Sequence, residues 1–281
     1  MAIGIIGLVL GTLYDQQITA KVANEDNLLG ILLTAFGIFG SLFVGCYACA
    51  VLFFNVNLKN NTANTILRII AALTFIIINF FEIKESIKYA DYPRMVENAA
   101  SYKTLMIVFV VLVDLAIIIF SKTRTSRFDK NAIVPVCLTI MIIIICFSGA
   151  SECSKYLVSR PRPSIVELGE VSFRNWYEFK PFLAFKDGYE DCKSFVSGHA
   201  ANSMCCATLF PLVLTLRKGK TRNSVQLMAA VVGVLYSLVI AFSRVIANAH
   251  YFTDIMGGII GSIIIQLIVY NVAVKIVCKV N

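Results

Sequence analysis

Apolar residues in this chain fall in long uninterrupted blocks. Asn27 to Leu58, Asn131 to Ser151, Asn223 to Ser243 and Ile255 to Val274 contain no charged side chain. Each block is long enough to cross about 30 Å of hydrocarbon as a helix. The pattern predicts an all-α fold, a polytopic transmembrane helical bundle. Seven spans are expected, near 28–54, 64–83, 104–121, 131–151, 197–216, 223–243 and 254–276. Met1 to Tyr14 is apolar but short, with neither a basic n-region nor an A-x-A-like cleavage site. It is therefore a poor signal peptide and reads as a further, marginal N-terminal span, frayed at its cytoplasmic start. One polar stretch, 152–196, is long enough to hold a site of its own. It contains Pro161, Pro163 and Pro181 and the sole tryptophan, Trp176. The aromatic run Trp176, Tyr177, Phe179, Phe182 and Phe185 suits a segment lying at a lipid interface. No internal repeat or low-complexity tract interrupts the pattern.

Composition agrees with the pattern. Hydrophobic residues make up 58% of the 281 positions and charged residues 15%, with a mean hydropathy of +0.78. A soluble domain would be about a quarter charged. The net charge of +8 does not indicate a nucleic-acid partner, because the basic residues sit in short loops between spans. Lys122, Arg124, Arg127 and Lys130 occupy one such loop, and Arg217, Lys218, Lys220 and Arg222 another. Alternation along the spans places both on one face, with Lys59, Lys275 and Lys279, and the positive-inside rule makes that face cytoplasmic. Loops 84–103, 152–196 and 244–253 then lie on the non-cytoplasmic face. The N-terminus is cytoplasmic if Met1 to Tyr14 spans. Compact length, short loops and the lack of a glycosylation sequon on the outer face point to a bacterial cell membrane. The sequon Asn60-Asn61-Thr62 falls on the cytoplasmic side.

Six of the nine cysteines, Cys46, Cys49, Cys137, Cys146, Cys205 and Cys206, lie in apolar segments, where a thiol behaves as a small hydrophobe. Cys153 and Cys192 flank the long loop; pairing would staple it, though two free thiols are the commoner arrangement at a membrane edge. Their spacing with the two histidines is not that of a zinc finger, so no structural metal is expected there. Asp114 sits in the middle of the span 104–121, where a carboxylate is expensive and often functional. A structural role, paired with a basic residue of another helix or protonated, is the more common one for such a residue, and a transport role the less common.

The histidines carry the chemistry. His199 and His250 are the only two in the chain, and both fall on the non-cytoplasmic face beside an apolar span. A lone histidine is usually a hydrogen-bonded structural residue; two on one face, among cations and a carboxylate, point to catalysis. His199 follows Ser197 and Gly198, and Lys155, Arg160 and Arg162 share its face. Arginine forks match phosphate oxygens, and lysine supplies a point charge. Snorkelling accounts poorly for three cations on the face where positive charge is sparse. Gly198 lets the backbone present its N–H at a helix N-terminus, where anions bind, and Ser197 adds a hydroxyl. His250 follows Ser243 and Arg244, and Asp254 lies four residues beyond it, one helical turn away. A carboxylate so placed fixes the tautomer and stabilises the imidazolium. His250 is then the nucleophile for phosphorus, and His199 the acid and base that serves the leaving oxygen and then water. The cations hold charge on the equatorial oxygens. No step requires a metal, and no carboxylate cluster is evident to bind one.

These three patches resemble the signature of the type-2 phosphatidic acid phosphatase superfamily. K-x6-R-P matches Lys155 to Pro163; P-S-G-H is present as Val196-Ser197-Gly198-His199; S-R-x5-H-x3-D matches Ser243, Arg244, His250 and Asp254. The resemblance covers the chain from the fourth span to the C-terminus, giving two regions: N-terminal transmembrane helices over 1–130 and a phosphatase core over 131–281. It implies phosphate binding by Lys155, Arg162, Ser197, Gly198 and Arg244. It also implies His250 as nucleophile, Asp254 as its orienting partner, His199 as acid–base, and no metal or other cofactor. Arg160 lies between motif positions and takes no implied role. Val196 stands where the family has proline, which predicts a looser turn without loss of a reactive group.

The expected activity is hydrolysis of a lipid phosphate monoester or pyrophosphate, such as phosphatidate, phosphatidylglycerol phosphate or a polyprenyl pyrophosphate, at the non-cytoplasmic bilayer surface. The alternatives are a lipid-headgroup transporter, a non-hydrolytic lipid-binding member, or a phosphotransferase with the same site. Retention of both histidines and Asp254 argues against binding alone. Sequence leaves the oligomeric state open.

Overall fold

A computed structural model describes residues 2–37, 39–89, 99–219 and 222–280. Among these the chain is all-helical, apart from two short 3-10 turns and one isolated backbone bridge. In order come α1 (Ala2–Val22), α2 (Leu28–Gly37), α3 (Phe39–Asn55), α4 (Asn61–Tyr89) and α5 (Ala99–Thr123). They are followed by α6 (Lys130–Val158), the short α7 (Pro163–Glu167), α8 (Gly198–Thr215), α9 (Asn223–Ile246) and α10 (Phe252–Val280). Helices satisfy every backbone N–H and C=O internally, which hydrocarbon demands.

Among the described residues, six stretches are long and apolar enough to cross a membrane: Leu28–Asn55, Asn61–Glu85, Lys103–Thr123, Lys130–Glu167, Asn223–Ile246 and Phe252–Val272. The expected span 197–216 forms a helix, but α8 is 18 residues long and is not among the six. Its first turns carry His199, Asn202 and Ser203, which lower its hydropathy. The segment expected as a marginal span extends to Val22 as α1, and it too lies outside the six. Large apolar side chains stay exposed along one stripe of α4, Leu73, Ile76 and Phe80, and along α9, Leu227, Val231 and Leu235. In water such stripes would be a liability; against lipid tails they cost nothing. The chain is an integral membrane protein.

Two compact units are built from interleaved segments. One comprises 1–38, 145–205 and 234–267; the other comprises 39–144, 206–233 and 268–281. Each therefore draws on both sides of the division at residue 130.

In the second unit α3 packs against α4 and α5. Gly45 lets α4 and α6 approach α3: a Cβ there would lie 2.9 Å from Ile78 of α4 and from Ile144 of α6, the small-residue contact that membrane helices favour. Phe43 meets Phe109 edge-on at 5.9 Å, and Asn55 Nδ2 donates to the Ser121 carbonyl at 3.1 Å. The two expected cytoplasmic loops meet here. Phe128 bridges Arg217, Asp129 N–H donates to Leu216 O at 2.8 Å, and Lys218 N–H donates to Arg127 O at 2.8 Å. Lys220, the side chains of Lys275 and Lys279, and residues 90–98 of the loop 84–103 lie outside the described residues.

In the first unit α1 docks on α10. Cβ atoms added at Gly4, Gly7 and Gly11 would fall within 3 Å of the Ile260, Met256 and Thr253 side chains, so a larger residue at any of them would have to displace a side chain of α10. Tyr236 Oη of α9 donates to Gly37 O of α2 at 2.7 Å. Gln266 donates to Ser262 Oγ at 2.6 Å and to Met204 O at 3.3 Å, tying α10 to α8. Cys153 and Cys192 are both free thiols.

The long loop is ordered by its own contacts. Trp176 faces inward: its indole donates to Thr12 Oγ1 at 2.9 Å and its ring stacks on Phe195 at 5.6 Å. Tyr156 stacks on Phe185 at 4.6 Å. Tyr177, Phe179, Phe182 and Phe185 remain more than half exposed, as an interfacial segment would hold them.

Candidate active site

The site lies within the first unit, where the loops 152–196 and 244–253 converge on the start of α10. Ser194 N–H donates to Arg160 O at 3.0 Å, and Ser197 N–H to Asp254 O at 3.0 Å. These two bonds bring the three motifs together. At Gly258 a Cβ would lie 2.8 Å from the Ser197 carbonyl, so the approach of α8 to α10 depends on a hydrogen at that position.

His250 is 3% exposed. Its Nδ1 lies 2.7 Å from the Ser194 carbonyl. A carbonyl accepts only, so Nδ1 carries the proton and Nε2 presents its lone pair. Asp254 faces the ring at ion-pair distance, its Oδ2 3.7 Å from Nδ1, which is beyond hydrogen-bond range. Asp254 instead accepts from Ser194 Oγ at 2.5 Å and from Tyr251 N–H at 2.8 Å. It reaches the imidazole through Ser194 and through charge. Burial pushes the His250 ring down to about 3; the Arg162 and Arg244 guanidiniums push the same way, and Asp254 pulls against them. The imidazole is thus neutral at physiological pH. Both arginines therefore act on the ring through their charge.

Arg160, without a role in the sequence, is the most enclosed cation of the site. It is fully buried. Its Nη1 donates to Asp254 Oδ1 at 2.6 Å and to Thr253 Oγ1 at 2.7 Å. Its Nη2 donates to Asp15 Oδ2 at 2.9 Å, and its Nε to the Arg174 carbonyl at 2.8 Å. The guanidinium carbon lies 4.3 Å from the Tyr251 ring centroid and 5.4 Å from that of Phe173. Asp15 was not anticipated. It comes from α1, accepts Thr253 N–H at 2.9 Å and bonds the Thr253 hydroxyl. Two carboxylates and one guanidinium thus clamp the N-terminus of α10, where negative charge is favoured. The sequence signal for Asp15 is a lone acid, with Gln16 and Gln17, at the end of an apolar run. Ser194 had no signal beyond its nearness to Ser197.

The remaining predicted residues fall as follows. Gly198 begins α8, and a Cβ there would lie 3.4 Å from Lys155 Nζ, so the lysine sits over the helix N-terminus. Lys155 also pairs with Glu152. Ser197 caps α8, its Oγ accepting from Ala200 N–H at 3.5 Å. Arg162 is half-buried and reaches the Ala249 carbonyl at 3.5 Å. Arg244 is buried. His199 Nε2 lies 3.1 Å from the Thr34 carbonyl of α2, so this nitrogen carries the proton. The turn at Val196 is anchored: its N–H donates to Ser154 Oγ at 3.2 Å. Proline, lacking that hydrogen, makes no such bond, so at Val196 a hydrogen bond stands in the place of a proline ring in holding the turn. Asn248, at φ 55°, adopts the left-handed turn that asparagine tolerates. Its Nδ2 donates to Glu167 at 2.7 Å and Glu25 at 3.0 Å. A cavity of about 610 Å³ opens here, lined by Gln16, Thr19, Glu25, Pro163, Asn248 and Tyr251 among others.

The arrangement offers a neutral imidazole with a defined tautomer, a set of cations about it, and a helix N-terminus beneath a lysine. No solved structure matches the chain. A 69-residue stretch is 38% identical to a Caenorhabditis elegans protein described as "Phospholipid phosphatase homolog 1.2 homolog", covering 24% of this chain and 20% of that relative. The chain thus spans about a fifth of the length of that curated relative. A nematode relative lends nothing to the expectation of a bacterial source. The profile of the PAP2 superfamily matches residues 132–277; with more than half of the chain matched, the protein belongs to the PAP2 superfamily.

Proposed function

We propose that this chain is a membrane phosphatase that hydrolyses lipid phosphate monoesters or pyrophosphates through a phosphohistidine intermediate. One observation carries the reading: the His250 imidazole is held with its proton on Nδ1 toward the Ser194 carbonyl, leaving Nε2 as a neutral nucleophile among cations. Attack of Nε2 on phosphorus forms the N–P bond and breaks the P–O bond to the lipid. The positive charge that develops on the ring is met by the Ser194 carbonyl and, at 3.7 Å, by Asp254. Lys155, Arg162, Arg244 and the N-terminus of α8 hold the phosphate oxygens, and this charge stabilisation is the largest contribution to such a step. His199 donates the proton to the leaving oxygen and then takes one from the water that cleaves N–P. With its Nε2–H held by the Thr34 carbonyl, His199 donates from Nδ1 as the doubly protonated imidazolium, and the neutral ring then takes the water's proton back on Nδ1. Ser194, Asp254, Arg160 and Asp15 act as positioning residues for His250.

The substrate class follows from the setting: a phosphate on a lipid at the non-cytoplasmic surface, with the cavity beside Pro163 and Tyr251 receiving the part next to the phosphate. Phosphatidate, phosphatidylglycerol phosphate and a polyprenyl pyrophosphate are the compounds to test. Purified full-length protein in detergent, with EDTA present, is expected to release phosphate from at least one of them. His250→Ala is expected to lower that release by at least about 10³-fold. Absence of release from all three by a folded protein would overturn hydrolysis in favour of headgroup binding; phosphate appearing on an added alcohol would identify a phosphotransferase.

A further inference from the structure

The second unit buries a cluster of side chains that phosphoryl chemistry does not use. Cys46 of α3, Glu82 of α4 and Asp114 of α5 each offer one ligand atom, and these atoms all lie within 4.8 Å of one another. This corrects the expectation that the chain has no carboxylate cluster able to hold a metal. Cys46 Sγ is 4.0 Å from both carboxylate oxygens of Glu82. Glu82 is 0% exposed and Asp114 4%. Neither oxygen of Asp114 accepts a hydrogen bond among the described residues.

Two carboxylates that share a site away from water do not both stay ionised without a compensating charge; either a cation or a proton lies between them. The third member of the cluster distinguishes these cases. A shared proton needs no sulfur, whereas a thiol beside two carboxylates completes a ligand set. A tetrahedral ion with M–S of about 2.3 Å and M–O of about 2.0–2.2 Å sets sulfur and oxygen about 3.5 Å apart. The observed 4.0 Å needs only a small side-chain adjustment to meet it. Ca²⁺ and Mg²⁺ take oxygen shells of six or more ligands, while a sulfur donor favours Zn²⁺. Asn79 supports the sulfur from outside: its Nδ2 donates to Cys46 Sγ at 3.6 Å and to the Phe75 carbonyl at 3.1 Å, the kind of outer contact that orients a metal ligand.

We propose that Cys46, Glu82 and Asp114 form a buried site for a divalent, thiophilic cation of the Zn²⁺ class that ties α3, α4 and α5 together. The thiol binds as thiolate and its proton passes to one of the two carboxylates, so the doubly charged ion meets two negative charges and the cluster is neutral inside the membrane. The site shares no residue with the phosphate site, and its occupancy is read without reference to catalysis.

The test is metal content. Full-length protein in detergent is stripped with a chelator, incubated with Zn²⁺ alone and gel-filtered, beside Asp114→Asn, Glu82→Gln and Cys46→Ser. The wild type is expected to retain about one more Zn²⁺ per chain than each variant, and Zn²⁺ to raise its thermal midpoint but not theirs. Co²⁺ in place of Zn²⁺ is expected to give a thiolate charge-transfer band that Cys46→Ser abolishes, which decides the matter even where a carboxylate variant fails to fold. Equal zinc content in wild type and variants, or a Co²⁺ band unchanged by Cys46→Ser, would overturn the proposal and leave the carboxylates sharing a proton.

Discussion

Replacing Arg160 by methionine tests whether the site rests on its buried clamp. The substitution keeps most of the side-chain volume and removes the charge. Asp254 Oδ1 loses its bond of 2.6 Å and Asp15 Oδ2 its bond of 2.9 Å, and both carboxylates are at most 2% exposed. Removing one partner of a buried ion pair costs about 3–5 kcal/mol, because the remaining charge is left uncompensated. Loss of the ring contacts to Tyr251 and Phe173 adds to this, while protonation of Asp15 offsets part of it, so the same range is expected for the whole change. Trp176, the sole tryptophan, lies in the same unit against Thr12 and Phe195, and its fluorescence during denaturant titration in detergent reports the unfolding. Arg162→Met is the control. Half-buried, with one long bond of 3.5 Å to Ala249 O, it is expected to cost under about 1 kcal/mol while phosphate release collapses. Adding Asp15→Asn to Arg160→Met removes one orphaned charge and is expected to restore at least about 1 kcal/mol. If Arg160→Met costs no more than Arg162→Met, or Asp15→Asn restores nothing, the clamp is not what holds the N-terminus of α10.

Two further outcomes follow from the geometry. His250 is held near 3, below the ordinary histidine value of 6.5, so below about 6.5 the unfolded chain binds a proton that the folded one refuses. Its contribution to stability is complete above that pH and is lost as pH falls toward 3. Between these limits the wild type is expected to lose up to about 1.4 kcal/mol per pH unit more than His250→Asn; parallel denaturation curves at pH 7 and 5 would contradict the buried neutral imidazole. Gly258→Ala inserts a methyl 2.8 Å from the Ser197 carbonyl; overpacking against backbone is expected to cost about 1–3 kcal/mol and to lower phosphate release by shifting Ser197 and Gly198, and unchanged kinetics would show that α8 tolerates the displacement.

Much of the site was legible along the chain because the chemistry needs particular side chains at fixed local spacing. Lys155 and Arg162, Ser197 and Gly198, and Arg244, His250 and Asp254 each lie within about a dozen consecutive residues around a helix end, and such short separations limit how far apart the members of a group can be. The helical class was legible for the same kind of reason: an apolar run of some twenty residues has one way to satisfy its backbone in hydrocarbon. Span number was less so, since α1 and α8 combine apolar length with polar residues and composition alone does not rank them.

What local spacing does not encode is which distant atom meets which. The i+4 relation of His250 and Asp254 predicted that the two face each other, and they lie 3.7 Å apart, but the ring's hydrogen bond goes to the Ser194 carbonyl at 2.7 Å, 56 residues away. Arg160 looked like a spare cation until α1 brought Asp15 to it from 145 residues away. Cys46, Glu82 and Asp114 sat in three separate hydrophobic runs, where a thiol reads as packing and a lone acid as an isolated cost. The sequence by itself determined the membrane setting, the helices and the candidate reactive groups, because each depends on residues near one another in the chain. Only the tertiary structure decided the tautomer of His250, the clamp about Arg160 and the buried carboxylate cluster. Each of these is a balance between desolvation and a partner's charge, and helix packing alone fixes which partners are within reach.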